Sequence, residues 1–346
     1  MRLADADPNA TLLDVRDLKV EFRTPYGVAK AVNGVSFSVE AGETLAILGE
    51  SGCGKSVTAQ AIMGIVDSPP GFVTGGQVLY RGVDLLKLPK DQQRKARADK
   101  IAMIFQDALS ALNPVFTVGF QLAEVFRIHR GVSRSEARKR AIELLDLVKI
   151  PAARQRISDF PHQFSGGMRQ RVMIAMSLAL DPDVLIADEP TTALDVTVQA
   201  QVMGLLAELQ RERNMGLILI THDMGVVADV ADKISVMYAG RVVERAPVHD
   251  IYASPAHPYT KALLQSIPRV DLKGQQLSVI KGLPPPLTNL PPGCNFAPRC
   301  RYVKDRCHQD VPPLYQVAAP AGAEAAAVSD AGRGSACHYW EEVIAQ

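Results

Sequence analysis

The chain has 346 residues, 47% of them hydrophobic, and a formal net charge of +1, which allows two or three compact units with a substantial core. So small a net charge provides no field favouring nucleic acid or an anionic membrane surface, and no stretch approaches the roughly 18 consecutive apolar residues of a spanning helix. The N-terminal MRLADADPNA carries no apolar signal segment, so cytoplasmic residence is expected and any action at a membrane goes through a partner.

In chain order, Leu12 to Glu40 alternates apolar and polar residues and predicts β-strands flanking a ligand. Thr44 to Leu48 is a short apolar run that predicts a buried strand. It is followed by Gly49-Glu50-Ser51-Gly52-Cys53-Gly54-Lys55-Ser56, which fits the phosphate-loop pattern G-x-x-x-x-G-K-[ST] at every fixed position. Ser56 to Ile65 then has helical spacing. In that strand–loop–helix setting, glycines let the backbone wrap phosphate oxygens while amide N–H groups at the helix start point at the anion. Lys55 adds positive charge for the β/γ-phosphates, and the Ser56 hydroxyl suits Mg²⁺. Three further apolar runs end in polar residues: Ile101–Phe105 in Gln106, Val184–Ala187 in Asp188 and Glu189, and Leu217–Thr221 in His222. In open α/β sheets, ligands sit at the carboxyl ends of the strands. Asp188 can therefore hold Mg²⁺ opposite Ser56, Glu189 can take a proton from attacking water, and His222 can reach a γ-phosphate. Each alone also fits an ordinary solvated strand end. Between these strands, Gly119–His129 and Ser133–Lys149 have helical periodicity. Ser133 is a capping candidate ahead of Glu136, and Arg138, Lys139 and Arg140 form a solvated face.

Phe164-Ser165-Gly166-Gly167-Met168-Arg169-Gln170-Arg171 opens an apolar helix predicted over Met168–Ala179, about twenty residues before Asp188, with Ala193-Leu194-Asp195 following Glu189. With the phosphate loop, this resembles the ATP-binding-cassette (ABC) ATPases over roughly Leu12 to Arg245. Phe164 and Met168 replace the Leu and Gln common in that signature, and its Ser-Gly-Gly centre is intact. The resemblance implies an α/β fold: a phosphate-loop cassette with a RecA-like core, an antiparallel β subdomain and a helical subdomain over about 107–164. It implies nucleotide contacts at Gly49, Glu50, Ser51, Gly52, Cys53, Gly54, Lys55, Ser56, Val57, Gln106 and Asp188, and Mg²⁺ held by Ser56, Gln106 and Asp188. It further implies catalytic roles for Glu189, His222 and Gln106, and adenine stacking on Phe22, for which Tyr26 is a rival. Ser165, Gly166 and Gly167 would serve the nucleotide of a second cassette paired head-to-tail. Asp107–Pro114 is the expected contact for a transmembrane partner.

Residues 246–346 are expected to form a small irregular extension. His257-Pro258-Tyr259-Thr260 followed by Pro-rich runs at Leu283–Pro286 and Leu290–Pro292 resembles the C-terminal extension of peptide-importer ATPases. Four of the five cysteines, Cys294, Cys300, Cys307 and Cys337, lie here, while Cys53 occupies a variable position of the phosphate loop. A reducing cytoplasm argues against disulfides. The spacing lacks the paired C-x2-C knuckles usual for zinc, and four thiolates are the ligand set of an iron–sulfur cluster. A [4Fe–4S] cluster, zinc and free thiols all remain open, with His308 and His338 as substitute ligands. The resembling family includes members with [4Fe–4S] at similar cysteines, and such a cluster is expected to sit outside the cassette. Ala318–Ala331 is Ala-rich and predicts a loop. The whole resembles the ATP-hydrolysing subunit of a dipeptide or oligopeptide importer at the cytoplasmic face of the plasma membrane. Such a subunit works with a second, homologous ATPase, two permeases and a substrate-binding protein, and without nucleic acid. Related extensions serve importers of nickel and glutathione. Soluble cassette ATPases of DNA repair or translation carry long insertions or two cassettes per chain, and neither occurs here.

Overall fold

The computed structural model describes residues 3–106, 111–192, 194–267, 280–317 and 332–345. Two sheets organise them. The first has the order β2-β1-β4-β5, all antiparallel: Leu13–Thr24 (β1), Gly27–Val39 (β2), Gly71–Tyr80 (β4) and Val83–Asp84 (β5). Alternation along β1 buries Leu13, Val15, Leu18 and Val20 on one face, as the period-2 pattern requires. The second sheet contains Thr44–Leu48 (β3), Ile101–Ile104 (β6), Val184–Asp188 (β7), Gly216–Thr221 (β8), Lys233–Tyr238 (β9) and Arg241–Pro247 (β10). With the two short strands Tyr315–Gln316 (β11) and Gly334–Ser335 (β12), its order is β11-β12-β10-β9-β3-β8-β7-β6. Strands β9, β3, β8, β7 and β6 run parallel, and β3, β7 and β8 are buried at every residue, which is why they read as continuous apolar runs.

The predicted helices appear with small shifts at their ends. The helix after the phosphate loop spans Lys55–Met63 and stops at Gly64, whose left-handed backbone (φ 57°) caps it. Val118–Arg130 and Arg134–Leu147 pack as an antiparallel pair over the predicted helical subdomain. The Ser133 side chain accepts the Glu136 N–H as a cap, while the Glu136 carboxylate goes to Arg140. The signature helix begins at Gly166, two residues earlier than Met168, because Ser165 caps it. Asp107 to Ser110, Ala193 and the stretch Ala318–Ala331, predicted as a loop, lie outside the described residues.

The C-terminal region consists of short elements and is tied into the main sheet. The anticipated boundary at 245/246 falls inside β10, and Gly334–Ser335 (β12) pairs with that strand at Glu244 and Arg245. Tyr315–Gln316 (β11) then pairs with β12. The extension thus covers an edge that β10 would otherwise leave open. Tyr259 and Phe296 belong to the main hydrophobic core, with Cys294 and Cys300 packed against it. His257 accepts the Tyr259 N–H through Nδ1 and starts the helix Pro258–Gln265. Glu244, 0% exposed, joins β10 to this motif by accepting the N–H groups of Ala256 at 2.6 Å and His257 at 2.9 Å.

Burial holds the Glu244 carboxyl at about 7, above its ordinary value of 4.5. A carboxyl raised in the fold contributes stability that is complete below its unfolded value and lost as pH rises through its folded one. Wild type should therefore lose stability relative to Glu244→Gln between about pH 5 and about pH 8, by on the order of 3 kcal/mol. Thermal unfolding of both proteins across that range checks this; a pH-independent difference would refute it.

Candidate functional site

Parallel pairing brings the ends of the central strands level. Leu48 lies opposite Thr221, Asp188 opposite Ile220 and Ile104 opposite Ala187. The residues just beyond these ends therefore gather along one edge of the sheet. The phosphate loop enters it from β3, and two close approaches demand glycine. A Cβ on Gly49 would lie 2.3 Å from the Met237 carbonyl oxygen, and one on Gly54 (φ 106°) 2.2 Å from that of Ala31. Lys55 Nζ curls back to the carbonyls of Gly49 at 2.8 Å and Glu50 at 3.1 Å. Ser56 and Val57 stand in the first helical turn, where N–H groups have no intrahelical acceptor.

Across this edge, Ser56 Oγ donates to Asp188 Oδ1 at 3.1 Å. Burial raises the Asp188 carboxyl above its ordinary value, the charge of Glu189 adds to this, and the Ser56 bond offsets part of it. Two hard oxygen ligands so placed fit a Mg²⁺ ion. Glu189 adopts a left-handed backbone (φ 46°), which costs a non-glycine residue about 1 kcal/mol. Its N–H donates to the Ile220 carbonyl at 2.8 Å. Its carboxylate accepts from Gln106 Nε2 at 3.0 Å and Thr192 Oγ1 at 2.9 Å, and stands 3.4 Å from His222 Nδ1. Gln106, Glu189 and His222 thus form one cluster around a strained residue, a combination found at functional sites. The role of Thr192 in holding Glu189 was not foreseen; a Thr three residues after an acid carries no distinctive sequence signal.

The signature residues have a different setting. Ser165 Oγ accepts the Met168 N–H at 3.3 Å, and Ser165 and Gly166 are exposed. A Cβ on Gly167 would lie 2.4 Å from the Val198 side chain, so packing against the Val196–Arg213 helix accounts for that glycine. At Gly166 a Cβ would meet only Leu194, at an ordinary 3.6 Å. Phe22 is half-buried against the core beside Gly71, whereas Tyr26 is 92% exposed in the β1–β2 turn.

Glu50 differs from the other loop residues. Its N–H donates to the Tyr259 hydroxyl at 2.8 Å, and its carboxylate receives both Arg299 terminal nitrogens, at 2.6 and 2.9 Å. The extension therefore touches the phosphate loop directly, through Tyr259 and Arg299. Cys294, Cys300, Cys307 and Cys337 line one cavity with His257 and Phe296. Burial pushes the Cys300 thiol up to about 11 and the Cys337 thiol up to about 12. Among the described residues, no group of three or more His, Cys, Asp or Glu is placed to hold a single metal ion. Four thiols on one cavity are the number and type of donor that an iron–sulfur cluster takes. His338 lines the same cavity, but its ring nitrogens are engaged by Tyr315 and the Asp310 carbonyl. Cys53 is buried in the other core cluster.

The model of the ABC transporter family matches residues 32–192, and that of the oligopeptide/dipeptide transporter C-terminal region matches residues 243–307. The oligopeptide transport ATP-binding protein OppD of Salmonella typhimurium is 52% identical over 307 residues, covering 89% of this chain and 91% of that protein. The dipeptide transport ATP-binding protein DppD of Bacillus subtilis is 53% identical over 289 residues, covering 84% and 86%. Among solved structures, the ATP-binding cassette MJ0796, a dimer in a post-hydrolysis state bound to ADP and Pi, matches with a TM-score of 0.61 at 29% identity. That match covers 68% of this chain and 98% of MJ0796.

Proposed function

This chain belongs to the ABC ATPases carrying the oligopeptide/dipeptide transporter C-terminal region, and on that premise we propose that it hydrolyses ATP to energise uptake of dipeptides or oligopeptides through membrane permeases. The observation that carries this reading is the near-full-length similarity, extension included, to oligopeptide and dipeptide transport ATP-binding proteins. Roles for the site residues follow from their geometry. The loop amides and Lys55 bind the triphosphate, with Lys55 exchanging its loop carbonyls for phosphate oxygens. Ser56 and Asp188 would hold Mg²⁺, which would supply positive charge against the phosphates, and Gln106 lies across the same edge. Glu189, steadied by Gln106 and Thr192, accepts the proton of the attacking water, and His222 donates toward the γ-phosphate. For adenine, the half-buried Phe22 ring offers a fixed platform, while Tyr26 is exposed without a packing partner. Glu189→Gln should retain ATP yet slow single-turnover hydrolysis in the assembled transporter by about 100-fold or more. Lys55→Ala should instead weaken nucleotide binding. Turnover near wild type in the Gln variant would remove Glu189 as the base.

Gly166 supports the second cassette. Among the described residues nothing requires glycine there, so its small size suits a surface that another molecule covers, and the MJ0796 neighbour is itself dimeric. We take the partner to be a separate homologous ATPase. An Asp at a helix start is tolerated. Gly166→Asp in the Glu189→Gln background should therefore keep folding stability within about 0.5 kcal/mol and abolish ATP-driven pairing of cassettes. Sedimentation with ATP checks this; intact pairing would refute it.

An apolar surface supports docking to permeases. Val115 is 70% exposed, and Phe116 and Phe120 stack at 4.8 Å while both remain accessible, directly after the Ala111–Pro114 end of the expected contact. No helix among the described residues is long and apolar enough to cross a membrane. Association with the cytoplasmic face is then peripheral, and a substrate-binding protein delivers peptide to the permeases.

The four-cysteine cavity supports a [4Fe–4S] cluster held by Cys294, Cys300, Cys307 and Cys337, which supplies a structural cross-link or a redox-sensitive group there. Anaerobically purified protein should contain about four irons and four labile sulfides per chain. Replacing any one of these cysteines by Ser should remove them, whereas Cys53→Ser should not. One zinc without sulfide would favour the zinc site, and no metal at all would leave free thiols.

A further inference from the structure

Every polar group of Glu50 is engaged away from a phosphate bound in the loop. Its N–H belongs to the Tyr259 hydroxyl and its carboxylate to the Arg299 fork. Its carbonyl receives Lys55 Nζ and the Cys53 N–H. The two extension residues are themselves fixed. Tyr259 is fully buried, with its ring against Tyr238 and Phe296 at 4.7 and 5.3 Å. The Arg299 side chain is only 4% exposed, and it also donates to the Tyr238 hydroxyl and the Lys281 carbonyl. A guanidinium so buried is held by a bidentate partner in fixed geometry. Tyr238 ends β9 directly before Ala239 and Gly240, and the Gly240 N–H donates to the Cys53 carbonyl inside the loop.

We propose that the C-terminal extension sets the nucleotide affinity of the phosphate loop, with Tyr259 and Arg299 acting as positioning residues that hold Glu50 outward and so position the remaining loop amides for phosphate. Two physical effects combine. The clamp selects one loop conformation, and a loop competent for only a tenth of the time would bind about tenfold more weakly. Arg299 also neutralises a carboxylate that would otherwise stand beside a triphosphate and repel it. Removing the extension's grip would thus act on the ATP site without any contact between the extension and the nucleotide. The clamp consists of contacts within the protein alone and is independent of whether the cysteines carry a cluster.

Tyr259→Phe retains the ring and its packing while deleting the acceptor for the Glu50 N–H. Arg299→Lys retains the charge while deleting the fork. For the full chain, titration calorimetry with MgATP should show each variant binding about tenfold more weakly, equivalent to about 1.4 kcal/mol. In the assembled transporter, KM for ATP should rise by a similar factor while kcat at saturating ATP is kept. Arg299→Lys placed on Glu50→Ala should add nothing further, because both changes break one contact. Wild-type affinity in a folded Tyr259→Phe variant would overturn the proposal. So would a fall in kcat at constant KM, or additivity of the Glu50 and Arg299 changes. Should Arg299→Lys fail to fold, Tyr259→Phe and Glu50→Gln still decide between these outcomes.

Discussion

Backbone presses on backbone where the phosphate loop meets its neighbours, and this contact fixes where everything else can stand. Gly49 abuts the Met237 carbonyl and Gly54 the Ala31 carbonyl, at distances no side chain would allow. The loop is therefore wedged between the end of β9 and the strand β2 of the other sheet. From that seat the following helix starts with Ser56 within reach of Asp188. Because β3, β8, β7 and β6 pair in parallel register, the residues beyond their ends fall on the same edge. A one-residue slip of β7 would turn Asp188 toward the wrong side. The left-handed backbone at Glu189 is the local strain accepted for swinging its carboxylate onto Gln106, Thr192 and His222.

The extension changes how the cassette should be pictured. It adds two short strands to the main sheet, buries Tyr259 and Phe296 in the shared core and anchors Glu244 from the inside. Its most consequential contact is with Glu50, on the outer side of the loop whose inner side is proposed to bind phosphate. The turn that carries Arg299 also carries Cys294 and Cys300. Arg299 and the cysteine cavity are thus neighbours in the chain, while the grip on the loop consists of protein contacts alone.

Much of this was legible in the residues. The phosphate loop, the strand ends at Gln106, Asp188 and His222, and the capped helix at Ser133 all rest on local rules: pattern period, glycine permissiveness and side-chain capping. These act within a few residues, so adjacent letters suffice to read them. The HPYT motif was visible as well, but nothing in four letters says that the Tyr259 hydroxyl serves an amide 209 residues earlier. Arg299 was overlooked because an arginine beside cysteines in a Pro-rich stretch looks like any solvated charge. Thr192 was overlooked for the same kind of reason.

By itself, the sequence determined that this chain folds around a phosphate loop, which strands end at that loop, and that a cysteine-bearing region follows the cassette. Only the tertiary structure decided that Glu50 meets Tyr259 and Arg299 of the extension, that Gly167 is required by packing, and that the extension adds strands to the sheet. The division has a physical cause. Secondary structure and phosphate loops are set by interactions between near neighbours in the chain. The partner of a buried charge or of a lone amide is set by which distant segments the core brings together, and that depends on the packing of the whole molecule.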